Sequence, residues 1–92
     1  MMELRFTSKF KRDYERIKKQ GKDFSKLESV LEALVRREVL PEAIRDHSLG
    51  GTYRGHRECH IEPDWLLIYR IDEEGLVLVA TRTGSHSELL GL

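Results

Sequence analysis

The sequence predicts an α+β domain of element order β-α-α-β-β-β, in which a helical hairpin packs on a small, mainly antiparallel sheet. Two stretches carry apolar residues at helical spacing, and they follow one short stretch in which polar and apolar residues alternate. Three later stretches are rich in β-branched and aromatic residues and are separated by turn-forming residues. At 92 residues, the chain is most simply a single domain over residues 1–92.

The chain begins with a predicted strand and a predicted helix. Residues 3–7 alternate between polar and apolar side chains, which is typical of a half-buried strand. Thr7 or Ser8 can cap a helix over residues 8–20, and Gly21 would end that helix. The apolar side chains of this helix fall at i, i+4 and i+7, namely Phe10, Tyr14 and Ile17.

A second helix is predicted over residues 25–35. Ser25 and Glu28 have the spacing of a capping box, and Pro41 marks the exit from the helix. Its apolar residues recur at helical intervals, namely Leu27, Val30, Leu31, Leu34 and Val35. Because a short turn joins the two helices, we expect them to form an antiparallel hairpin on one face of the sheet.

Three further strands are predicted in the second half of the chain, at residues 57–61, 66–69 and 76–80. Pro63-Asp64 forms the first turn between them, because proline fixes φ and aspartate readily hydrogen-bonds its own backbone. A turn that ends at Gly75 connects the last two strands. The nearly continuous apolar run of the final strand indicates an interior position, covered on both faces.

Two segments surround this meander of strands. Residues 41–55 contain few aliphatic side chains and a pair of glycines, so we predict an irregular loop. After the last strand, Ser85 with Glu88 can cap a final helical turn that runs through Leu90.

Charge is distributed unevenly, although the formal net charge is zero. Residues 5–26 hold nine lysines and arginines against three acids, a local balance of +6. A basic helix surface of this kind attracts phosphate backbones, and it is also a common solvated surface. The charge pattern alone therefore leaves RNA binding and simple solvation as alternatives.

The single cysteine and the lack of a long apolar run suggest where the protein is located. Cys59 cannot form an internal disulfide, and strand alternation turns it away from the face that carries His60. Cys59 and the histidines also lack the spacing of a zinc site. No apolar run approaches the roughly 20 residues that cross a bilayer, and the N-terminus has no signal-peptide core. We therefore expect a soluble protein of the reducing cytoplasm.

Histidines, a carboxylate and an arginine are predicted to converge at one end of the meander. His60 and Asp64 lie at the first turn, and antiparallel pairing brings Arg82 and His86 back to the same end. His47, on the preceding loop, could close the site from the side. Such a set meets the needs of RNA cleavage by the neighbouring 2′-hydroxyl. One group takes the hydroxyl proton, one protonates the departing 5′-oxygen, and a cation holds the phosphate.

Simpler interpretations stand beside this hypothesis. The hairpin tip could be a solvated turn, Arg82 could only pair with Asp64, and His47 could have no chemical task. Tyr53 and Trp65 could stack on splayed bases or could pack in the core or at its rim. The side chains predicted to contact RNA are Trp65, Tyr53, Arg54, Lys9, Arg12 and Arg16.

Two sequence blocks resemble the YafQ branch of the RelE-type bacterial toxins. They are H-x-E-P-D-W-x-L-I-Y, within DHSLGGTYRGHRECHIEPDWLLIYR, and R-T-G-[ST]-H, within TRTGSHSELLG. The similarity follows the order of elements over nearly the whole chain. It implies a RelE-like fold and the activity of a messenger-RNA endonuclease. By this resemblance the protein is the toxin of a toxin–antitoxin pair. It would act on the ribosome, form a hetero-oligomer with a cognate antitoxin and be silenced by it.

The resemblance also implies roles for individual residues. The family's functional positions match here at His47, His60, Asp64, Arg82 and His86, with Trp65 lining the site. His86 is the expected general acid, and His60 or Asp64 is the expected general base. Arg82 would stabilise the charge on the phosphate, and His47 would position a group or transfer a proton. No metal or other cofactor is expected.

Two other classes of function remain open at this point. The related ParE toxins share the fold and poison DNA gyrase, although they lack this set of histidines. A non-catalytic RNA-binding or partner-binding module would keep the fold and the basic face without cutting RNA. The sequence also departs from the family at Leu90, where an aromatic residue is common, so base stacking at this position stays an open question.

Overall fold

The computed structural model describes residues 1–91 and confirms the predicted α+β class. The helices are α1 (Ser8–Lys19), α2 (Phe24–Val35) and α3 (His86–Leu90). The strands are β1 (Glu3–Phe6), β2 (His47–Ser48), β3 (Arg57–Glu62), β4 (Trp65–Asp72) and β5 (Val77–Gly84). The two-residue strand β2 was not predicted, and β5 runs four residues past the predicted end of the last strand.

The five strands form one sheet in the order β1-β5-β4-β3-β2. β1 pairs with β5 in parallel, whereas the other three pairings are antiparallel, so the sheet is mainly antiparallel as expected. β5 lies between β1 and β4, and its residues 77–80 are all buried. This confirms the interior position that its apolar run indicated.

The helix ends explain why α1 and α2 begin where they do. The Thr7 side chain accepts the backbone N–H of Phe10 at 2.9 Å, which confirms one of the two predicted caps. The capping box predicted at Ser25 is wrong, because Asp23 is the cap of α2. The Asp23 carboxylate accepts both the backbone N–H of Ser25, at 3.0 Å, and its hydroxyl, at 2.6 Å. The helix therefore starts one residue earlier, at Phe24.

The main core lies between the helices and one face of the sheet. The sheet contributes Cys59, Trp65, Leu67, Tyr69, Leu78 and Ala80, and the helices contribute Phe10, Ile17, Leu27, Val30, Leu31, Leu34 and Val35. Cys59 faces this core, as strand alternation predicted, and its burial raises the pKa of the thiol to about 12. The thiol is therefore protonated and unreactive at neutral pH.

Trp65 belongs to this core and does not line a surface site, which corrects the prediction made for it. Its side chain is fully buried, and its Nε1–H donates to Thr83 Oγ1 at 2.9 Å. The Thr83 hydroxyl in turn donates to the carbonyl of Leu66 at 2.8 Å. A base could stack on the Trp65 ring only if this part of the core opened.

A smaller apolar cluster covers the opposite face of the sheet. Leu66 and Ile68 of β4 pack there with Leu89 of α3, and Leu49 and Tyr53 from the loop border them. This cluster fixes α3 and the loop on the face that carries the polar residues described below. Among residues 1–91, no helix has both the length and the apolar character needed to cross a membrane.

Candidate active site

The turn between β3 and β4 holds α3 through one carboxylate. Asp64 Oδ1 accepts the backbone N–H of His86 at 2.9 Å and its ring Nδ1–H at 2.7 Å. Because a carboxylate only accepts, Nδ1 carries the proton and Nε2 is left for chemistry. These two hydrogen bonds from His86 lower the pKa of Asp64, so Asp64 is ionised at neutral pH.

The cap of α3 fixes the orientation of His86. Glu88 and Ser85 form the predicted capping box, with the Glu88 N–H donating to Ser85 Oγ at 3.2 Å and the Ser85 N–H donating to Glu88 Oε1 at 2.8 Å. His86 is the first residue of this helix, so its backbone position is set from both the cap and Asp64.

Three imidazole rings form a row across the edge of the sheet. The ring centroids of His60 and His86 are 5.5 Å apart, and those of His47 and His60 are 6.2 Å apart. His47 lies on β2 and His60 on β3, and both side chains share the sheet face of Leu66. His47 therefore lies beside the other two rings, on the side where it was predicted to close the site, because β2 pairs with β3.

Glu58 lies between two of these rings and was not among the residues predicted for the site. Its side chain is 5% exposed, and its Oε1 is 3.6 Å from His60 Nε2 and 3.7 Å from His47 Nε2. A signal was present, because Glu58 and His60 alternate on the same strand and therefore share a face. Glu62 behaves differently, since a bulge after His60 turns it toward α2, where it pairs with Lys26 at 2.7 Å.

A bulge in β5 places Arg82 on the same face as the histidines. Tyr69 pairs with Ala80 and Ile68 pairs with Arg82, so Thr81 has no partner on β4. Without this extra residue, alternation from Ala80 would put Arg82 on the helix-covered face. Its side chain is 18% exposed, and Nη1 lies 3.4 Å from the hydroxyl of Tyr53.

Arg82 pairs with Asp13 of α1 and not with Asp64, the partner suggested as an alternative. Its Nε donates to Asp13 Oδ2 at 2.6 Å, and its Nη2 donates to Oδ1 at 3.0 Å. Nothing in the sequence signals this contact, because Asp13 stands in a helix dominated by lysines and arginines, where an acid is ordinarily solvated. Only the packing of α1 beside the end of β5 reveals it.

Arg16 is engaged in ion pairs within the protein, and its contact with RNA stays a prediction. Its Nη1 donates to Asp13 at 3.0 Å and its Nη2 to the Thr83 carbonyl at 3.1 Å. Its Nε is 3.0 Å from Glu88 Oε2. Gly84 permits this close approach, since a Cβ there would lie 2.5 Å from Arg16 Nη2.

The remaining predicted RNA contacts lie around the site without forming its centre. Lys9 and Arg12 are exposed on α1, on the same stripe as Arg16, which reaches the site at Thr83. Tyr53 is half-buried beside Arg82. Arg54 is exposed on the neighbouring loop, and its side chain makes no hydrogen bond or ion pair to the other site residues within residues 1–91.

The same residues that could move protons could also hold a metal ion. Glu58, His60 and His86 each offer one ligand atom, and these atoms lie within 4.8 Å of one another. Asp64 behind the His86 ring is the carboxylate–histidine arrangement that commonly supports a metal ligand. The site can therefore support either acid–base chemistry or metal binding.

Comparison with known proteins places the chain in a family. A family model described as "Bacterial toxin of type II toxin-antitoxin system, YafQ" matches residues 2–91. The mRNA interferase toxin YafQ of Escherichia coli K12 is 33% identical over 90 residues, which cover 97% of this chain and 96% of that protein.

Solved structures give the same result. A metal-bound toxin from Helicobacter pylori has a TM-score of 0.91 and 37% identity, over 98% of this chain and all of that one. YafQ from the E. coli DinJ-YafQ complex has a TM-score of 0.89 and 33% identity, over 99% of this chain and all of that one. The family resemblance that the two sequence blocks indicated is confirmed, and the chain belongs to the YafQ family of bacterial type II toxin–antitoxin toxins.

Proposed function

We propose that the protein is a messenger-RNA endonuclease that cuts by attack of the 2′-hydroxyl on the adjacent phosphate. The observation that carries this proposal is the pair of histidines at the site. One ring nitrogen of His60 and one of His86 lie within 4.8 Å, and an ionised Asp64 fixes the His86 ring. Two positioned imidazoles meet the need for one base and one acid around a single phosphate. The E. coli relative is named an mRNA interferase toxin, which supports the same activity.

The geometry favours a particular division of roles. His60 takes the proton from the 2′-hydroxyl, and His86 Nε2 delivers a proton to the departing 5′-oxygen. The products are then a 2′,3′-cyclic phosphate and a 5′-hydroxyl, so atoms and charge balance without a further reactant. Asp64 is the weaker candidate for the base, because its lowered pKa and its two hydrogen bonds to His86 make it a poor proton acceptor.

Glu58 and Arg82 complete this arrangement. The buried Glu58 carboxylate, beside the rings of His47 and His60, would stabilise positive charge on whichever imidazole is protonated. Arg82 would stabilise the extra negative charge of the pentacoordinate phosphate. His47, at the open end of the row with half of its side chain exposed, would position the incoming nucleotide.

We further propose that cleavage requires no metal. The nucleophile belongs to the RNA, and the two proton transfers are assigned to side chains. A divalent ion on Glu58, His60 and His86 would instead occupy the nitrogens that move protons. Enzyme dialysed against a chelator should keep its full rate.

The partners follow from the family and from the charge of α1. The E. coli relative is seen in complex with DinJ, so we propose that a cognate antitoxin forms a hetero-oligomer with this chain and silences it. The basic stripe of α1 is suited to ribosomal and messenger RNA, and we propose that the reaction takes place in the cytoplasm, where both are found.

The RNA-binding role of α1 can be tested by its salt dependence. Lys9→Gln combined with Arg12→Gln should weaken RNA binding and reduce the slope of log K against log[salt] by about 0.7 per lost phosphate contact. Lys11→Gln with Lys18→Gln is the matched control. Lys11 borders the apolar groove toward α2, on the other edge of α1, and Lys18 lies two turns further on that edge. Equal slopes for the two double variants, measured by fluorescence anisotropy, would contradict the assignment.

Primer extension on a defined messenger RNA in a translating extract tests the function itself. We expect cuts with 5′-hydroxyl ends that appear only during translation and persist after chelator treatment. Cuts that appear on free RNA alone would still support an endonuclease, but they would contradict the proposal that it acts on the ribosome. A complete lack of cuts would refute the endonuclease, and a supercoiling assay with purified gyrase would then test the ParE-like alternative.

A further inference from the structure

Asp13 is a buried carboxylate on α1 that accepts four hydrogen bonds. Its side chain is 4% exposed. Oδ2 accepts from Arg82 Nε at 2.6 Å and from the Thr83 backbone N–H at 3.1 Å. Oδ1 accepts from Arg82 Nη2 and from Arg16 Nη1, each at 3.0 Å. All four hydrogen bonds to this carboxylate therefore come from Arg82 and Thr83 at the end of β5, or from Arg16, which also binds the Thr83 carbonyl.

The sheet itself explains why a helix supplies these contacts. β1 pairs with β5 only as far as Phe6 and Ala80, whereas β5 continues to Gly84. Among residues 1–91, no strand pairs with the outer edge of β5 beyond Ala80. Asp13 takes the Thr83 N–H and Arg16 takes the Thr83 carbonyl, so α1 replaces the missing strand.

We infer that Asp13 is a positioning residue for Arg82. The carboxylate binds the Nε side of the guanidinium as a bidentate pair, which leaves the Nη1 end beside the Tyr53 hydroxyl. The Nη1 end of the guanidinium lies on the sheet face that also carries His60. Its N–H groups are the donors of Arg82 that remain available to a phosphate. The inference rests on the proposed function, in which Arg82 stabilises the charge of the transition state.

A purely structural role for Asp13 makes a different prediction. If the carboxylate only stabilised the end of β5, its loss would lower stability without changing the rate of each folded molecule. A positioning role predicts a loss of kcat that depends on the presence of Arg82. A double-mutant cycle between the two residues separates these possibilities.

The experiment compares Asp13→Asn in two backgrounds, wild type and Arg82→Gln. In the wild-type background we expect kcat for RNA cleavage to fall about 10²-fold while KM changes little, because the reacting groups are misplaced and not lost. In the Arg82→Gln background the same substitution should change kcat less than twofold. Asp23→Asn, which removes the exposed carboxylate cap of α2, is the matched control and should leave kcat unchanged. An unchanged kcat in folded Asp13→Asn, or equal losses in both backgrounds, would overturn the inference.

A second readout does not depend on cleavage. The Arg82 Nε–H, buried against Asp13, should give a slowly exchanging ¹⁵N signal in the wild type and lose that protection in Asp13→Asn. If the wild type did not cut RNA, the proposed function would be wrong. The Nε–H signal would still show whether Asp13 fixes the orientation of Arg82. Retained protection in the variant would overturn the inference.

The wild type alone provides the test if Asp13→Asn does not fold. A short oligonucleotide with 2′-deoxyribose at the cleavage position should shift the Nη signals of Arg82 while the Nε–H signal, held by Asp13, keeps its position. Loss of Nε–H protection when the oligonucleotide binds would show that Arg82 leaves Asp13, and would overturn the inference.

Discussion

His86→Ala is expected to lower the rate of RNA cleavage by about 10²- to 10⁴-fold, the range typical of losing a general acid. Asp64 holds the His86 ring at 2.7 Å, so the orientation of its free nitrogen is fixed, and the ring centroid lies 5.5 Å from that of His60. Alanine would leave the 5′-oxygen to depart without a proton. Primer extension over a time course gives the rate directly, at equal concentrations of folded protein.

The matched control for this prediction is Ser87→Ala, one residue further along α3. Ser87 is exposed, and its hydroxyl lies 3.3 Å from that of Ser85. It should cut at the wild-type rate. If His86→Ala also cut at the wild-type rate, the assignment of the general acid would be wrong, and His47 or His60 would have to supply the proton.

Leu67→Ala is expected to lower the free energy of unfolding by about 2–5 kcal/mol. Leu67 is fully buried in β4, between Cys59 on β3 and Thr83 on β5. Its side chain faces the core beneath the two helices, so its removal leaves a cavity that the neighbouring strands cannot close. Because small domains are stable by only about 5–15 kcal/mol, this loss is a large part of the total.

Urea denaturation followed by circular dichroism measures this effect. Leu76→Ala removes the same atoms from a side chain that is 65% exposed, and it should change the free energy of unfolding by less than about 0.5 kcal/mol. Similar losses from both variants would show that burial at Leu67 does not control stability. A change in the urea m-value would point instead to an altered unfolded state.

Most of the secondary structure was predictable because its signals are local. The apolar spacing of Phe10, Tyr14 and Ile17 and the capping box at Ser85 act within a few residues of chain. The error at α2 was also local. Ser25 and Glu28 have a valid capping spacing, but the Asp23 carboxylate accepts both the Ser25 N–H and the Ser25 hydroxyl, so Asp23 is the cap.

The candidate site was only partly predictable. The turns at Asp64 and Gly75 make β3, β4 and β5 antiparallel neighbours, which brings His86 back to the end of the sheet where His60 lies. Alternation along β3 then fixes the face of the sheet that carries His60. Trp65 follows the same alternation, which turns it into the core and away from the site. Glu58 could have been found from its spacing to His60, since the two residues share a face of β3.

The sequence by itself determined the family, the order of elements and the convergence of His60, Asp64 and His86, because these depend on local pattern and on two consecutive hairpins. Only the tertiary structure decided the direction and the partner of Arg82. Its face depends on the bulge at Thr81, which is a property of pairing with β4. Its ion pair with Asp13 exists because β1 stops at Phe6 and α1 covers the exposed edge of β5. Both features are set by contacts between residues far apart in the chain, where local propensity carries no information.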